Sequence, residues 1–245
     1  MLADLFFDLD RTLWDFDANS KDALREIYLE LALPGLSKAV DVEDFISVYE
    51  VENERCWEAY RQGQMTQSEL RPLRFRRTIE QLGIPEPLHL NQLADEMGEA
   101  YVQRAPYRKQ LIEGAVEVCH RLKEKGHRMF ILTNGFEEVQ HIKMEHSGLS
   151  RFFDAVYTSD AIGHKKPKRE AFEAVLHRTQ SSARQAIMIG DDLECDVWGA
   201  KSAGWRQIHF DPSDDITTPG VWHRIQHLEE LLKYPLEIAP LDFRP

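Results

Sequence analysis

Three short apolar runs in this chain stop abruptly in polar residues. Leu5-Phe6-Phe7 ends in Asp8, Met129-Phe130-Ile131-Leu132 ends in Thr133-Asn134-Gly135, and Ala186-Ile187-Met188-Ile189 ends in Gly190-Asp191-Asp192. From Tyr107 onward, runs of this kind alternate with helical patterns. Helices are expected over 113–125, from about 136 to 146, and over 169–179, 195–202 and 221–233. Strands are expected at 128–133, 153–158, 186–189 and 206–210. Strands separated by single helices join through right-handed βαβ crossovers, which bury a parallel sheet between helical layers. The expected fold class is therefore α/β, with a doubly wound, parallel-sheet (Rossmann-like) core. Such sheets bind ligands beyond the carboxyl ends of their strands, where all three polar clusters fall.

The first strand and the alternating region are separated by a block with few strand patterns. Leu24, Ile27, Tyr28 and Leu31 are spaced as one helix face, with Ser20 as a candidate N-cap and Pro34-Gly35 as a stop. Helical patterns continue over about 41–62, 66–82 and 90–104, broken at Gly63 and at Gly83-Ile84-Pro85. The expected organisation is a discontinuous α/β core of residues 1–15 and 106–245 with an all-α domain inserted at 16–105. Residues 235–245 carry three prolines and are expected to form an irregular tail.

Composition narrows the function classes. A net charge of −12 lacks the basic footprint of a polymeric nucleic acid binder, and any anionic substrate would need positive charge supplied locally. No apolar run reaches the ~18 residues of a membrane span, and Asp4 stands where a signal peptide would be basic. Cys56, Cys119 and Cys195 are odd in number and far apart, as in reduced thiols. These features predict a cytoplasmic protein with no membrane or nucleic acid partner.

Asp8 and Asp10 form a D-x-D pair. On an extended strand alternate side chains point the same way, so the two would project together. Two like charges 4 Å apart repel by roughly 4 kcal/mol at an effective dielectric of about 20. The pair persists only with a cation, a shared proton or exposure to water, and alone it does not distinguish a site from solvated strand-end carboxylates.

The wider set of motifs resembles the haloacid dehalogenase superfamily, in the branch with a helical cap after the first motif. The motifs are Asp8-Leu9-Asp10-Arg11-Thr12, Thr133 in Ile131-Leu132-Thr133-Asn134-Gly135, Lys166 in Gly163-His164-Lys165-Lys166-Pro167, and Gly190-Asp191-Asp192-Leu193-Glu194-Cys195-Asp196. The resemblance implies that Asp8 is a nucleophile forming an aspartyl-phosphate and that Asp10 protonates the leaving oxygen and later deprotonates water. It implies a Mg²⁺ cofactor held by the Asp8 side chain, the Asp10 backbone carbonyl and Asp191. Lys166 would neutralise Asp8 and a phosphoryl oxygen, while Thr133 and the amides around Asn134 bind the phosphoryl group. Asp196 would support Lys166 or the metal, and Thr12 and Asp192 would support the site from behind its contact residues, with the turn backbone for Thr12 and solvent for Asp192 as the plainer alternatives. This division of labour implies that the chain turns immediately after Asp8.

The same resemblance implies a phosphatase. Halide leaves without a proton, so a second aspartate has no work in dehalogenation, whereas an alcohol leaving group needs one. Phosphomutases share this chemistry, and a non-catalytic binding protein on the same fold is the alternative from another class. Phe6-Phe7-Asp8-Leu9-Asp10-Arg11-Thr12-Leu13-Trp14-Asp15-Phe16, the stretch from Trp57 to Gly63 and Leu132-Thr133-Asn134-Gly135-Phe136 are similar to the noncanonical pyrimidine nucleotidase subgroup. That similarity implies a nucleoside 5′-monophosphate as substrate, with sugar phosphates or other small metabolites as the alternative. Trp57, Tyr60, Arg61 and Arg71 are the candidates in the inserted block for choosing the leaving group. The bland reading of that region is cap core for Trp57 and Tyr60 and a solvated face for Arg61, Arg71, Arg74, Arg76 and Arg77. Monomer and homodimer both remain open.

Overall fold

The computed structural model describes residues 2–31, 40–83, 89–213 and 220–238. The chain forms two compact units, Met1–Asp15 with Lys109–Pro245, and Phe16–Arg108. The first unit is built on a six-stranded sheet whose paired strands all run parallel, in the order β3-β2-β1-β4-β5-β6. Its strands are β1 (Asp4–Phe7), β2 (Met129–Thr133), β3 (Ala155–Thr158), β4 (Ala186–Gly190), β5 (Arg206–Phe210) and β6 (His223–Ile225). The doubly wound parallel core expected from the alternation is thus the observed one.

β1, β2 and β4 are buried along their whole length, which explains why they read as unbroken apolar runs. One sheet face carries Phe6, Phe130, Leu132 and Met188, packed with Phe172, Val175 and Trp205. The Trp205 ring lies 4.7 Å from Phe6 and 5.2 Å from Phe172. Phe7, one residue on, points to the other face and meets Phe153 edge-on at 5.9 Å. β1 is central, with β2 on one side and β4 on the other, so the strand order reverses beside it. The carboxyl ends of these three strands hold Asp8, Thr133 and Asp191.

The second unit contains α1 (Phe16–Glu30), α2 (Val42–Arg61), α3 (Gln67–Gln81) and α4 (Leu90–Arg104). Leu24, Ile27, Phe45, Tyr49, Phe75, Ile79, Met97 and Tyr101 form its core. In the first unit α5 (Ala115–Glu124), α6 (Glu137–His146), the short α7 (Ser159–Ile162) and α8 (Arg169–Thr179) connect β1 to β4 along the chain. A π-helical segment, Leu193–Trp198, runs into the single turn α9 (Gly199–Ser202), where the sequence pattern predicts one helix over 195–202.

Two local expectations are corrected. Ser20 is not an N-cap: α1 begins at Phe16, and Ser20 is buried within it, accepting a 2.8 Å hydrogen bond from the Tyr101 hydroxyl. The expected helix over 221–233 is replaced by β6 and a 3₁₀ segment, Leu228–Lys233. Val221, Ile225, Leu228 and Leu232 have helical spacing, yet His223–Ile225 pairs with the free edge of β5, and that pairing overrides the periodicity. Pro34-Gly35, Ile84-Pro85 and the tail beyond 238 lie outside the described residues. Among the described residues no helix is long and apolar enough to cross a membrane.

Candidate active site

The chain leaves the strand conformation at Asp8. β1 ends at Phe7, and the amides of Leu13 and Trp14 both donate to the Leu9 carbonyl, at 3.0 and 2.9 Å. Arg11 has a φ of 63°, an uncommon left-handed conformation for a residue with a side chain. This tight loop separates the two aspartates. The Asp8 amide continues the sheet by donating to Ile189 at 2.9 Å, while Asp10 bridges to Trp14.

Lys166 is 2% exposed and uses its three ammonium hydrogens on three acceptors. They are Asp8 Oδ1 at 2.7 Å, Asp196 Oδ1 at 2.6 Å and the Leu132 carbonyl at 2.6 Å. Its backbone is fixed as well. Asn134 Nδ2 donates to the Lys166 carbonyl and Asn134 Oδ1 accepts from the Lys166 amide, both at 2.8 Å. The Asn134 side chain thus holds the lysine loop against the end of β2, and only its backbone amide is left for an anion.

Asp191 meets Thr12 twice. Thr12 Oγ1 donates to Asp191 Oδ1 at 3.0 Å and accepts from the Asp191 amide at 3.1 Å. Thr12 is fully buried, so this reciprocal pair ties the loop after β1 to the end of β4. Asp192 caps the π-helical segment, accepting from the Glu194 and Cys195 amides at 2.9 and 2.8 Å. Its own amide donates to Asp196 Oδ2 at 3.2 Å. Gly190 leaves room for Asp196, since a Cβ there would lie 2.2 Å from Asp196 Oδ2.

Asp8, Asp191 and Asp196 each offer an oxygen within 4.8 Å of the others. Burial pushes all three carboxyls above the usual carboxylate range, and Lys166 opposes this at Asp8 and Asp196. The Lys166 ammonium is raised, because the attraction of Asp196 and Asp8 outweighs its own burial. The Lys166 ammonium, with the Arg11 guanidinium drawing on Asp191, therefore faces three carboxyls, of which Asp8 and Asp196 are buried and Asp191 is half-buried. An all-oxygen donor set with unbalanced negative charge suits a hard divalent cation such as Mg²⁺.

The Asp10 side chain faces other partners. Its Oδ1 accepts from Lys143 Nζ at 2.6 Å and its Oδ2 from Gln140 Nε2 at 2.9 Å. Thr133 Oγ1 accepts from the Gly135 amide at 3.1 Å and from Gln140 Nε2 at 2.8 Å. Gln140 and Lys143 are contacts that sequence reasoning missed. Both lie on α6 in a pattern that reads as an ordinary amphipathic helix, and nothing local marks the polar pair as buried.

The inserted unit holds the remaining candidates. Tyr60 is buried, and Trp57 meets it edge-on at 5.5 Å. Arg61 pairs with Glu54 at 2.7 Å. Arg71 lines a groove of about 480 Å³ with Ser68, Pro72, Asp95, Gly98 and Gln103. The solvated-face reading fails for Arg74, which is 4% exposed. Its guanidinium lies 4.5 Å from the centre of the Tyr101 ring and donates to Asn53 at 3.0 Å.

Residues 5–204 match the family model for haloacid dehalogenase-like hydrolases. The chain is 34% identical to a ribulose-1,5-bisphosphate 5-phosphatase of Halopiger xanaduensis, over 88% of this chain and 87% of that protein. It is 29% identical to the pyrimidine 5′-nucleotidase YjjG of Escherichia coli, over 93% and 96%. The crystal structure of the HAD-hydrolase YfnB of Bacillus subtilis, bound to magnesium, superposes with a TM-score of 0.83 at 29% identity, covering 95% of this chain and 97% of that one.

Proposed function

Because the chain belongs to the haloacid dehalogenase-like hydrolase family, we propose that it is a phosphatase of small phosphate monoesters that works through a phosphorylated Asp8. The observation that carries this reading is the placement of the two aspartates of the D-x-D pair. Asp8 lies in the cluster with Lys166 and Asp191, and Asp10 is turned toward separate donors. One carboxylate is equipped as a nucleophile and the other as a proton carrier. A carbon–halogen displacement has no use for the second.

In this reading an Asp8 oxygen attacks phosphorus and the bond to the ester oxygen breaks. The departing oxygen keeps the electron pair and takes a proton from Asp10. Water then attacks the phosphorus, Asp10 takes the water's proton, and the bond to Asp8 breaks to release inorganic phosphate. Lys166 offsets charge at Asp8 throughout, held in place by Asp196 and by the Asn134 clamp on its backbone. Thr133 and the Asn134 amide receive the phosphoryl oxygens. Mg²⁺ would be held by the Asp8 side chain, the Asp10 carbonyl and Asp191. When bound it neutralises carboxylate and phosphoryl charge together.

The proposed substrate is a nucleoside 5′-monophosphate in the cytoplasm, supported by the likeness to YjjG. The bisphosphate phosphatase relative favours a second reading, a sugar phosphate. Trp57, Tyr60, Arg61 and Arg71 are the proposed residues for choosing between them. A panel of nucleotides and sugar phosphates, assayed with Mg²⁺ and with EDTA, tests both levels. Mg²⁺-dependent phosphate release, lost by about 10³-fold or more in Asp8→Asn, is the expected result. Wild-type turnover in Asp8→Asn overturns the phosphatase reading, and sugar phosphates far outpacing every nucleotide overturns the nucleotidase one.

A further inference from the structure

Lys143 is a buried ammonium, its side chain 6% exposed, whose Nζ lies 2.6 Å from Asp10 and 4.4 Å from the centre of the Trp14 ring. Removing such a group from water costs several kcal/mol unless its partners compensate. Gln140, one helical turn earlier on α6, is fully buried. Its amide nitrogen has two hydrogens, and they go to Asp10 Oδ2 and Thr133 Oγ1. Its Oε1 has no hydrogen-bond partner among the described residues. A buried acceptor left in that state costs about 1–3 kcal/mol. The reverse orientation of the amide would set Oε1 against the Asp10 carboxylate, so the observed one is dictated by Asp10. Gly135 makes the reach possible, because a Cβ there would lie 1.9 Å from Gln140 Nε2.

We propose that Lys143 and Gln140 are positioning residues that fix the Asp10 carboxylate through both of its oxygens and register it against Thr133. The inference rests on the phosphatase reading and assigns these residues a role in it. Both donors can bond a carboxyl oxygen whether or not the group carries a proton, because a protonated carboxyl keeps acceptor lone pairs, so the pair fixes where Asp10 sits in the acid step and in the base step alike. Cutting either bond frees the carboxylate to rotate, and misplacement of a reacting group by about 1 Å can cost ~10²-fold.

The effect must pass through proton transfer, which gives a readout that a structural role would not move. An alkyl phosphate needs a proton on its leaving oxygen, whereas p-nitrophenyl phosphate expels a stable anion without one. Comparing kcat/KM for the two esters in the Mg²⁺-supplemented full chain isolates this step. The ratio within one preparation does not depend on how much of the protein is folded. In Lys143→Met and in Gln140→Met the alkyl ester should lose about 10–100-fold and the aryl ester less than about threefold. In an Asp10→Asn background neither substitution should lower the alkyl rate further. Gln140→Met keeps the side-chain volume and decides the matter if Lys143→Met does not fold. Equal losses on both esters, or undiminished losses in the Asp10→Asn background, overturn the inference alone. A wild-type chain that hydrolyses neither ester overturns the phosphatase reading and this inference with it.

Discussion

Lys166 is the residue whose removal should cost most. Its ammonium is the cation in direct contact with Asp8 and Asp196, and both carboxylates are buried. Lys166→Met keeps the length and the apolar stem but strands those charges, and breaking buried pairs in this way costs about 3–5 kcal/mol. A denaturant midpoint lowered with an unchanged m-value is the expected result, and unaltered stability would show that the carboxylates find charge elsewhere. Cys119, buried in α5, gives a pH-dependent test of the core. Burial pushes its thiol up to about 12, so the folded state favours the neutral form. Stability is therefore full below the free thiol's pKa near 9 and falls as pH rises from there toward about 12. The expected contribution is a loss of about 1.4 kcal/mol per pH unit in that window, absent from Cys119→Ala. Denaturant unfolding of both proteins at pH 8 and 10.5 measures the difference, and parallel curves would refute it.

At the scale of elements, α3 starts with a reciprocal cap. Thr66 Oγ1 accepts from the Glu69 amide and Glu69 Oε2 accepts from the Thr66 amide, at 3.3 and 2.8 Å. Thr66→Ala should cost about 1 kcal/mol in thermal or chemical unfolding. A loss under ~0.3 kcal/mol would mean that solvent replaces the cap. The helical pattern expected over 66–82 begins at this box, whose four residues, Thr66-Gln67-Ser68-Glu69, close the helix start locally. β1, β2 and β4 were legible for a related reason: burial on both faces leaves an apolar run, and the site residue follows at its end. What was not legible depends on partners far away in sequence. Ser20 looks like a cap until Tyr101 is brought against it, and His223–Ile225 looks helical until β5 offers an edge. Lys143 and Gln140 look solvated until the loop after β1 turns Asp10 toward α6. Arg74 likewise becomes a buried cation only where Tyr49, Phe75 and Tyr101 converge.

For the molecule as a whole, a net charge of −12 makes an anionic substrate costly to approach, and the core cluster sets three carboxyls, Asp191 only half-buried, beside Lys166 and Arg11. A divalent cation answers both difficulties at one place. A ligand that binds the folded chain and not the unfolded one stabilises it by RT ln(1 + [L]/Kd), about 2.7 kcal/mol at one hundred times Kd. For a chain of this length each kcal/mol moves Tm by roughly 2–4 °C, so saturating Mg²⁺ should raise it by about 5–10 °C over EDTA. General screening of the surface charge would also help an acidic protein, so NaCl of equal ionic strength is the control, and it should give a much smaller rise. Asp191→Asn removes a carboxylate from the cluster while leaving Lys166 paired with Asp8 and Asp196. In that variant the Mg²⁺-specific part of the rise should disappear even though the fold persists. An equal shift in NaCl, or a full shift in Asp191→Asn, would place the ion's effect on the surface and not at the ends of β1 and β4.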